Sequence, residues 1–166
     1  MVVQLKFKIQ HFLDSSMVKK SFHTGTVKKT IKIKAAKDKV WRKISNIAGL
    51  PTWVIDVKKT VYLSKKKTDV GAIRLITFED GNQIEEHVVA WKKGEYFTYI
   101  ATEGLPLRAY VATISIKPKS KNLVELTWQS YLNSEKMSEK QFTEFMVFLG
   151  SFYYESLENL KTLLEK

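Results

Sequence analysis

Between residues 57 and 132 the chain repeats one pattern six times. Apolar and polar residues alternate for seven to ten positions, and the pattern then stops within a few residues. The stretches are 57–63, 72–78, 83–91, 96–103, 110–117 and 123–132. Alternation of period two marks a half-buried β-strand. The breaks fall at 65–71, 80–81, 93–94, 104–106 and 118–122, and glycine, proline or asparagine stands in each. Connections this short join antiparallel neighbours, because a parallel crossover needs a dozen or more residues. A sheet of this size must bury one face, so the remaining segments have to supply its cover.

The cover is legible at the C-terminus. Phe142, Phe145, Met146, Leu149, Tyr153, Leu157, Leu160 and Leu164 recur at spacings of three and four. That is the apolar stripe of one long helix of roughly 26 residues, ~39 Å at 1.5 Å per residue. Ser138 and Gln141 predict a capping box at its start. Gly150 interrupts the stripe and is expected to let the helix pass close to the sheet. Upstream, Val27, Ile31 and Ile33 alternate with lysines and predict one more strand. Residues 35–44 predict a short helix burying Val40, Trp41 and Ile44, and 46–53 a second short helix that Pro51 ends or redirects. Residues 1–25 form an N-terminal extension in which strand and helix periods both fit, and 26–166 form one domain. The fold class is α+β: a curved seven-stranded antiparallel sheet wrapped around a long C-terminal helix.

Composition removes several functions. With no cysteine there is no disulfide framework, zinc-thiolate site or cysteine nucleophile, which suits a reducing cytoplasm. His11, His23 and His87 have no metal-ligand spacing, and no metal or cofactor is expected. The longest apolar run, 145–154, is far below the ~20 residues that span a bilayer. Nor does the start of the chain read as a secretory leader. The net charge of +11 invites a nucleic-acid reading. Yet 25 of the 28 cations are lysines, spread over many elements, whereas base and phosphate reading favours arginine. Nucleic acid is therefore the weaker partner; docking of the lysine-coated surface on an anionic membrane is the stronger one.

One turn allows a sharper inference. If Glu79-Asp80-Gly81 is a three-residue hairpin loop with Gly81 in the left-handed bulge position, Phe78 faces Asn82. Ile76 then faces Ile84, Arg74 faces Glu86 and Ala72 faces Val88, so apolar partners match and opposite charges match. A two-residue loop would set Ile76 against Glu85. The first register is preferred, because a one-residue slip turns a whole strand over. It places Arg74 and Glu86 among Ala72, Ile76, Phe78, Ile84, Val88 and Ala90 on the concave face. The pair is either a structural salt bridge or a polar anchor at the floor of an apolar pocket.

The segments A-A-K-D-K-V-W at 35–41, G-L-P-T-W at 49–53, G-A-I-R at 71–74 and D-G at 80–81 occur in a telling order. Glu86 in E-E-H-V-V, Tyr99-Ile100, L-P-L at 105–107, Tyr110, Trp128 in L-T-W and L-E-N-L at 157–160 continue it. In this order and spacing, residues 28–164 resemble the polyketide cyclase/dehydrase-like branch of the SRPBCC superfamily, which includes START and birch-pollen-allergen-like proteins. The resemblance implies a helix-grip fold that usually encloses an apolar cavity.

Such a cavity is expected to draw on Trp53, Arg74, Ile76, Ile84, Glu86, Val88, Tyr110, Ala112, Trp128, Phe142, Met146, Leu149 and Tyr153. Three functions follow. The first is binding, or transport, of a small hydrophobic or amphipathic molecule such as a lipid or polycyclic compound. The second is a cyclase- or dehydratase-like enzyme with Glu86 as acid or base and Arg74 steadying an oxyanion. Pairing with Arg74 is expected to lower the Glu86 pKa, which weakens a general-acid role. His87 points to the opposite face and does not join Glu86. The third is an interaction protein whose core is filled.

Overall fold

The computed structural model describes residues 22–166. The ambiguous periodicity of residues 3–12 lies outside them. Seven strands follow: β1 (His23–Ile33), β2 (Val57–Tyr62), β3 (Ile73–Phe78), β4 (Gln83–Lys92), β5 (Tyr96–Glu103), β6 (Ala109–Ser120) and β7 (Leu123–Ser134). They form one antiparallel sheet in the order β1-β7-β6-β5-β4-β3-β2. Helix α1 (Lys37–Ile44) follows β1, and α2 (Glu139–Leu164) closes the chain. This is the α+β architecture that the strand and helix periods predict, and the helix-grip fold that the resemblance implies.

The segment 46–53 is not a second α-helix. It holds a single 3-10 turn, Leu50–Thr52, with Pro51 inside it. Strand β6 also runs through Pro118 to Ser120, beyond its expected end at 117. Pairing of β6 with β5 ends at Ser115, although Ile116 N–H still reaches the Glu95 carbonyl. Beyond that point one edge of β6 is unpaired, and a residue without an N–H is tolerated there.

Two irregularities between β4 and β5 bend the sheet, at Glu85/Glu86 and at Val88/Ala90. The second one corrects the expected position of Ala90. Val89 is the extra residue, so Ala90 pairs with Thr98 on the convex side while Trp91 pairs with Phe97. Trp91 then packs edge-on against Trp41 of α1, with ring centroids 5.2 Å apart.

Helix α2 begins with the expected capping box. Ser138 N–H donates to Gln141 Oε1 at 2.9 Å, and Gln141 N–H donates to Ser138 Oγ at 3.3 Å. Its C-terminal half buries Leu157 and Leu160 completely, in a core shared with Ile33, Val40, Ile44 and Leu126. Its N-terminal half leans on β1. There Gly25 leaves room for Met146, whose Cε would lie 2.7 Å from a Cβ at that position.

Gly150 plays a smaller part than its place in the stripe suggests. A Cβ there would meet Lys29 Cε at 3.4 Å and Val27 Cγ1 at 3.9 Å, both ordinary contacts. Because helix-interior glycine costs about 0.5–1 kcal/mol relative to alanine, Gly150→Ala is expected to stabilise by about that amount. Urea unfolding measures it, and a loss of stability would show that the helix cannot approach β1 with a methyl group in place.

Candidate functional site

The hairpin β3–β4 builds the floor of the site. Phe78 N–H donates to the Asn82 carbonyl, Gly81 has φ +86°, and Arg74 pairs with Glu86 and Ile76 with Ile84. The three-residue loop therefore sets the register that puts both charges on the concave face. Arg74 Nε donates to Glu86 Oε2 at 2.7 Å, and Arg74 Nη2 lies 2.6 Å from the same oxygen. Arg74 Nη1 donates to the Ile47 carbonyl at 2.8 Å, tying the sheet to the segment after α1. The guanidinium also lies 4.9 Å from the centre of the Tyr99 ring. Arg74 and Glu86 are 3% and 6% exposed, so the pair is taken almost wholly out of water.

Around this pair stands a layer of aromatic residues. Trp128 Nε1 donates to Tyr99 Oη at 2.9 Å. The hydroxyls of Tyr110 and Tyr153 hydrogen-bond to each other, and Tyr153 stacks on Trp128 with centroids 4.1 Å apart. Burial raises all three phenols above their usual range, and the nearby Glu86 carboxylate adds to the rise. Burial also raises the Glu86 pKa, with the Arg74 charge and hydrogen bond opposing it. This corrects the expected fall: loss of hydration outweighs the single cation.

Between floor and helix lies a cavity of about 380 Å³. Arg74, Ile76, Ile84, Glu86, Tyr110, Trp128, Leu149 and Tyr153 line it, as their sequence positions suggest. Trp53, Val88, Ala112, Phe142 and Met146 do not line it. Trp53 is buried behind Trp128, and Val88 and Ala112 are packed into the sheet core. Phe142 and Met146 roll towards β1, where Phe142 stacks on His23. The helix residues that turn to the cavity instead are Phe145, Phe148 and Phe152, beside Leu149 and Tyr153. Tyr99 was legible in principle, since it faces Val88 across β4–β5. Leu50 comes from the 3-10 turn and Val54 and Leu105 from loops, whose placement no periodicity reports. The exposed Asp56, Glu79 and Asp80 stand at the mouth.

His87 stays out of this site, as alternation predicts. It pairs with Glu85 on the convex side at 2.6 Å, and that hydrogen bond lowers the Glu85 pKa. Among the described residues no group of His, Asp or Glu is arranged to hold a metal ion. No described helix is long and apolar enough to cross a membrane.

A curved sheet gripping one helix over an apolar cavity with a buried polar floor defines a helix-grip domain with an internal pocket. The chain belongs to the polyketide cyclase/dehydrase and lipid transport family, whose model matches residues 24–165. No curated protein shows significant sequence similarity to it. Among solved structures, a Bacillus thuringiensis protein superposes with TM-score 0.73 at 20% identity, covering 86% of this chain and 100% of its own. The XoxI protein of Bacillus cereus gives TM-score 0.73 at 20% identity, with coverages of 84% and 95%. Norcoclaurine synthase of Thalictrum flavum, solved with dopamine and hydroxybenzaldehyde, gives 0.67 at 18% identity, with coverages of 86% and 87%. At these identities the likeness is one of fold.

Two outcomes test the floor. Arg74→Met strands the Glu86 carboxylate and is expected to cost about 3–5 kcal/mol, whereas Arg74→Met with Glu86→Leu regains most of that loss. Denaturant unfolding of the two variants decides it, and a double variant no better than the single one contradicts it. The second test is pH. The native Glu86 pKa lies above its ordinary 4.5, so the stability linked to its proton is complete below 4.5 and is lost as pH rises through the native value. Wild type should therefore lose stability relative to Glu86→Gln as pH increases from 4.5, and a flat difference would contradict the direction.

Proposed function

We propose that this protein binds a small hydrophobic or amphipathic molecule in the cavity between the sheet and α2. The carrying observation is the cavity itself: about 380 Å³, walled by aromatic and aliphatic side chains, with one polar pair at the floor. That volume falls in the ~300–1,000 Å³ range of small-molecule sites. It also argues against a wholly filled core. Family membership supports the same reading, because its description includes lipid transport.

A specific observation keeps a second reading, in which the cavity performs cyclase- or dehydratase-like chemistry. Two of the three Arg74 guanidinium nitrogens converge on Glu86 Oε2, no described residue bonds Glu86 Oε1, and Glu86 lines the cavity. A carboxyl group with a raised pKa and a free oxygen can move a proton at a bound ligand.

Native mass spectrometry and solvent extraction of the purified protein should reveal a co-purifying apolar molecule. A ligand at a hundred times its Kd stabilises by about 2.7 kcal/mol. For a domain of this size that raises Tm by roughly 5–10 °C. Ile76→Trp fills the cavity and is expected to remove the shift. If no apolar compound moves Tm, the binding function is wrong. For the enzymatic reading, mass analysis should show the bound molecule converted by wild type and retained unchanged by Glu86→Gln.

A further inference from the structure

The charge of the cavity is opposite to that of the molecule around it. The chain carries 25 lysines and a net charge of +11, yet among the described residues no lysine lines the cavity. Its wall holds four carboxylates, Asp56, Glu79, Asp80 and Glu86, against the single guanidinium of Arg74. The sequence shows the same separation, since residues 68–91 contain five carboxylates and no lysine.

Three of these carboxylates form the rim. Glu79 N–H donates to the Asp56 carbonyl at 2.9 Å, which fixes β2's entry beside the end of β3 and keeps the two side chains on neighbouring positions. Neither the Asp56 nor the Glu79 carboxylate makes a hydrogen bond or ion pair among the described residues. Asp80 is committed to its own turn, accepting from Asn82 N and Nδ2. Its charge still faces the mouth.

The floor supplies an independent indication. Glu86 is 6% exposed, lines the same cavity, and leaves Oε1 without a donor among the described residues. A carboxylate oxygen in so apolar a setting favours a donor that reaches it through the cavity. Arg74 is already engaged by Glu86 Oε2 and the Ile47 carbonyl. Between floor and rim the walls are rich in aromatic rings, whose faces attract cations and repel anions.

Building on the proposal that this cavity binds an amphipathic molecule, we infer that its ligand class is an organic cation: an apolar or aromatic body bearing an ammonium or comparable donor group. The cationic group meets Asp56 and Glu79 at the mouth, or Glu86 Oε1 when carried inward, and the apolar body fills the aromatic interior. Anionic amphiphiles such as fatty acids are disfavoured by the same rim, even though the outer surface attracts them.

Three probes of one shape test this by calorimetry on the full chain: 2-naphthylmethylammonium, 2-naphthylmethanol and 2-naphthoate. The ammonium is expected to bind roughly tenfold tighter than the alcohol, and the carboxylate more weakly than either. Displacement of the alcohol by the ammonium places both in one site. The variant Asp56→Asn/Glu79→Gln should reduce the preference severalfold without loss of Tm, because asparagine accepts the φ of +57° that Asp56 adopts. Salt at about 0.5 M should also reduce it. Binding of the carboxylate as tightly as the ammonium overturns the inference, and so does a preference that survives in the double variant and also in Glu86→Gln. Equal binding of all three overturns the charge selection and leaves the apolar cavity standing. Binding of none overturns both.

Discussion

One helix is too narrow to cover seven strands. Strands spaced about 4.8 Å apart make a sheet close to 30 Å wide, whereas a helix with its side chains is about 10–12 Å across. The chain meets this constraint by curling the sheet, with irregularities in β4–β5, and by laying α2 over the β1 side. At the C-terminal end of α2 the core closes around Leu157 and Leu160. Towards β3 and β4 the helix falls short, and the space is left to large side chains and a cavity.

The buried ion pair belongs to that same uncovered region. Arg74 joins β3 to β4 through Glu86 and to the α1 segment through Ile47, so one side chain holds three pieces of backbone. Such a pair adds little net stability over an apolar replacement, because both charges lose their hydration. Its value is specific: it holds Arg74 in one place over the Tyr99 ring and leaves one Glu86 oxygen unbonded by the described residues. Burial raises the pKa of Glu86 and of the three phenols alike, because each charged form loses hydration in an apolar chamber.

Much of this was legible from the residues. Period-two stretches with short breaks mark an antiparallel sheet, and a three-residue loop ending in Gly81 sets Arg74 opposite Glu86. Local rules suffice there, because hairpin register depends only on neighbours in sequence. They fail at Ala90, because the bulge at Val89 arises from how β4 meets β5. They fail again on α2. The stripe shows that Phe142, Phe145, Met146 and Leu149 are apolar neighbours, but the roll of the helix decides which face the cavity.

By itself, the sequence determined the fold class, the long helix with its capping box, and the inward pairing of the rare Arg74 with Glu86. These follow from periodicity, turn chemistry and charge matching, all of which act over short distances. Tertiary structure alone decided that a cavity remains, that three phenylalanines of α2 turn towards it, and that Asp56 from one loop meets Glu79 and Asp80 from another at its mouth. Those outcomes depend on how far one helix reaches across a curved sheet, a property of the assembled layers that no single segment carries.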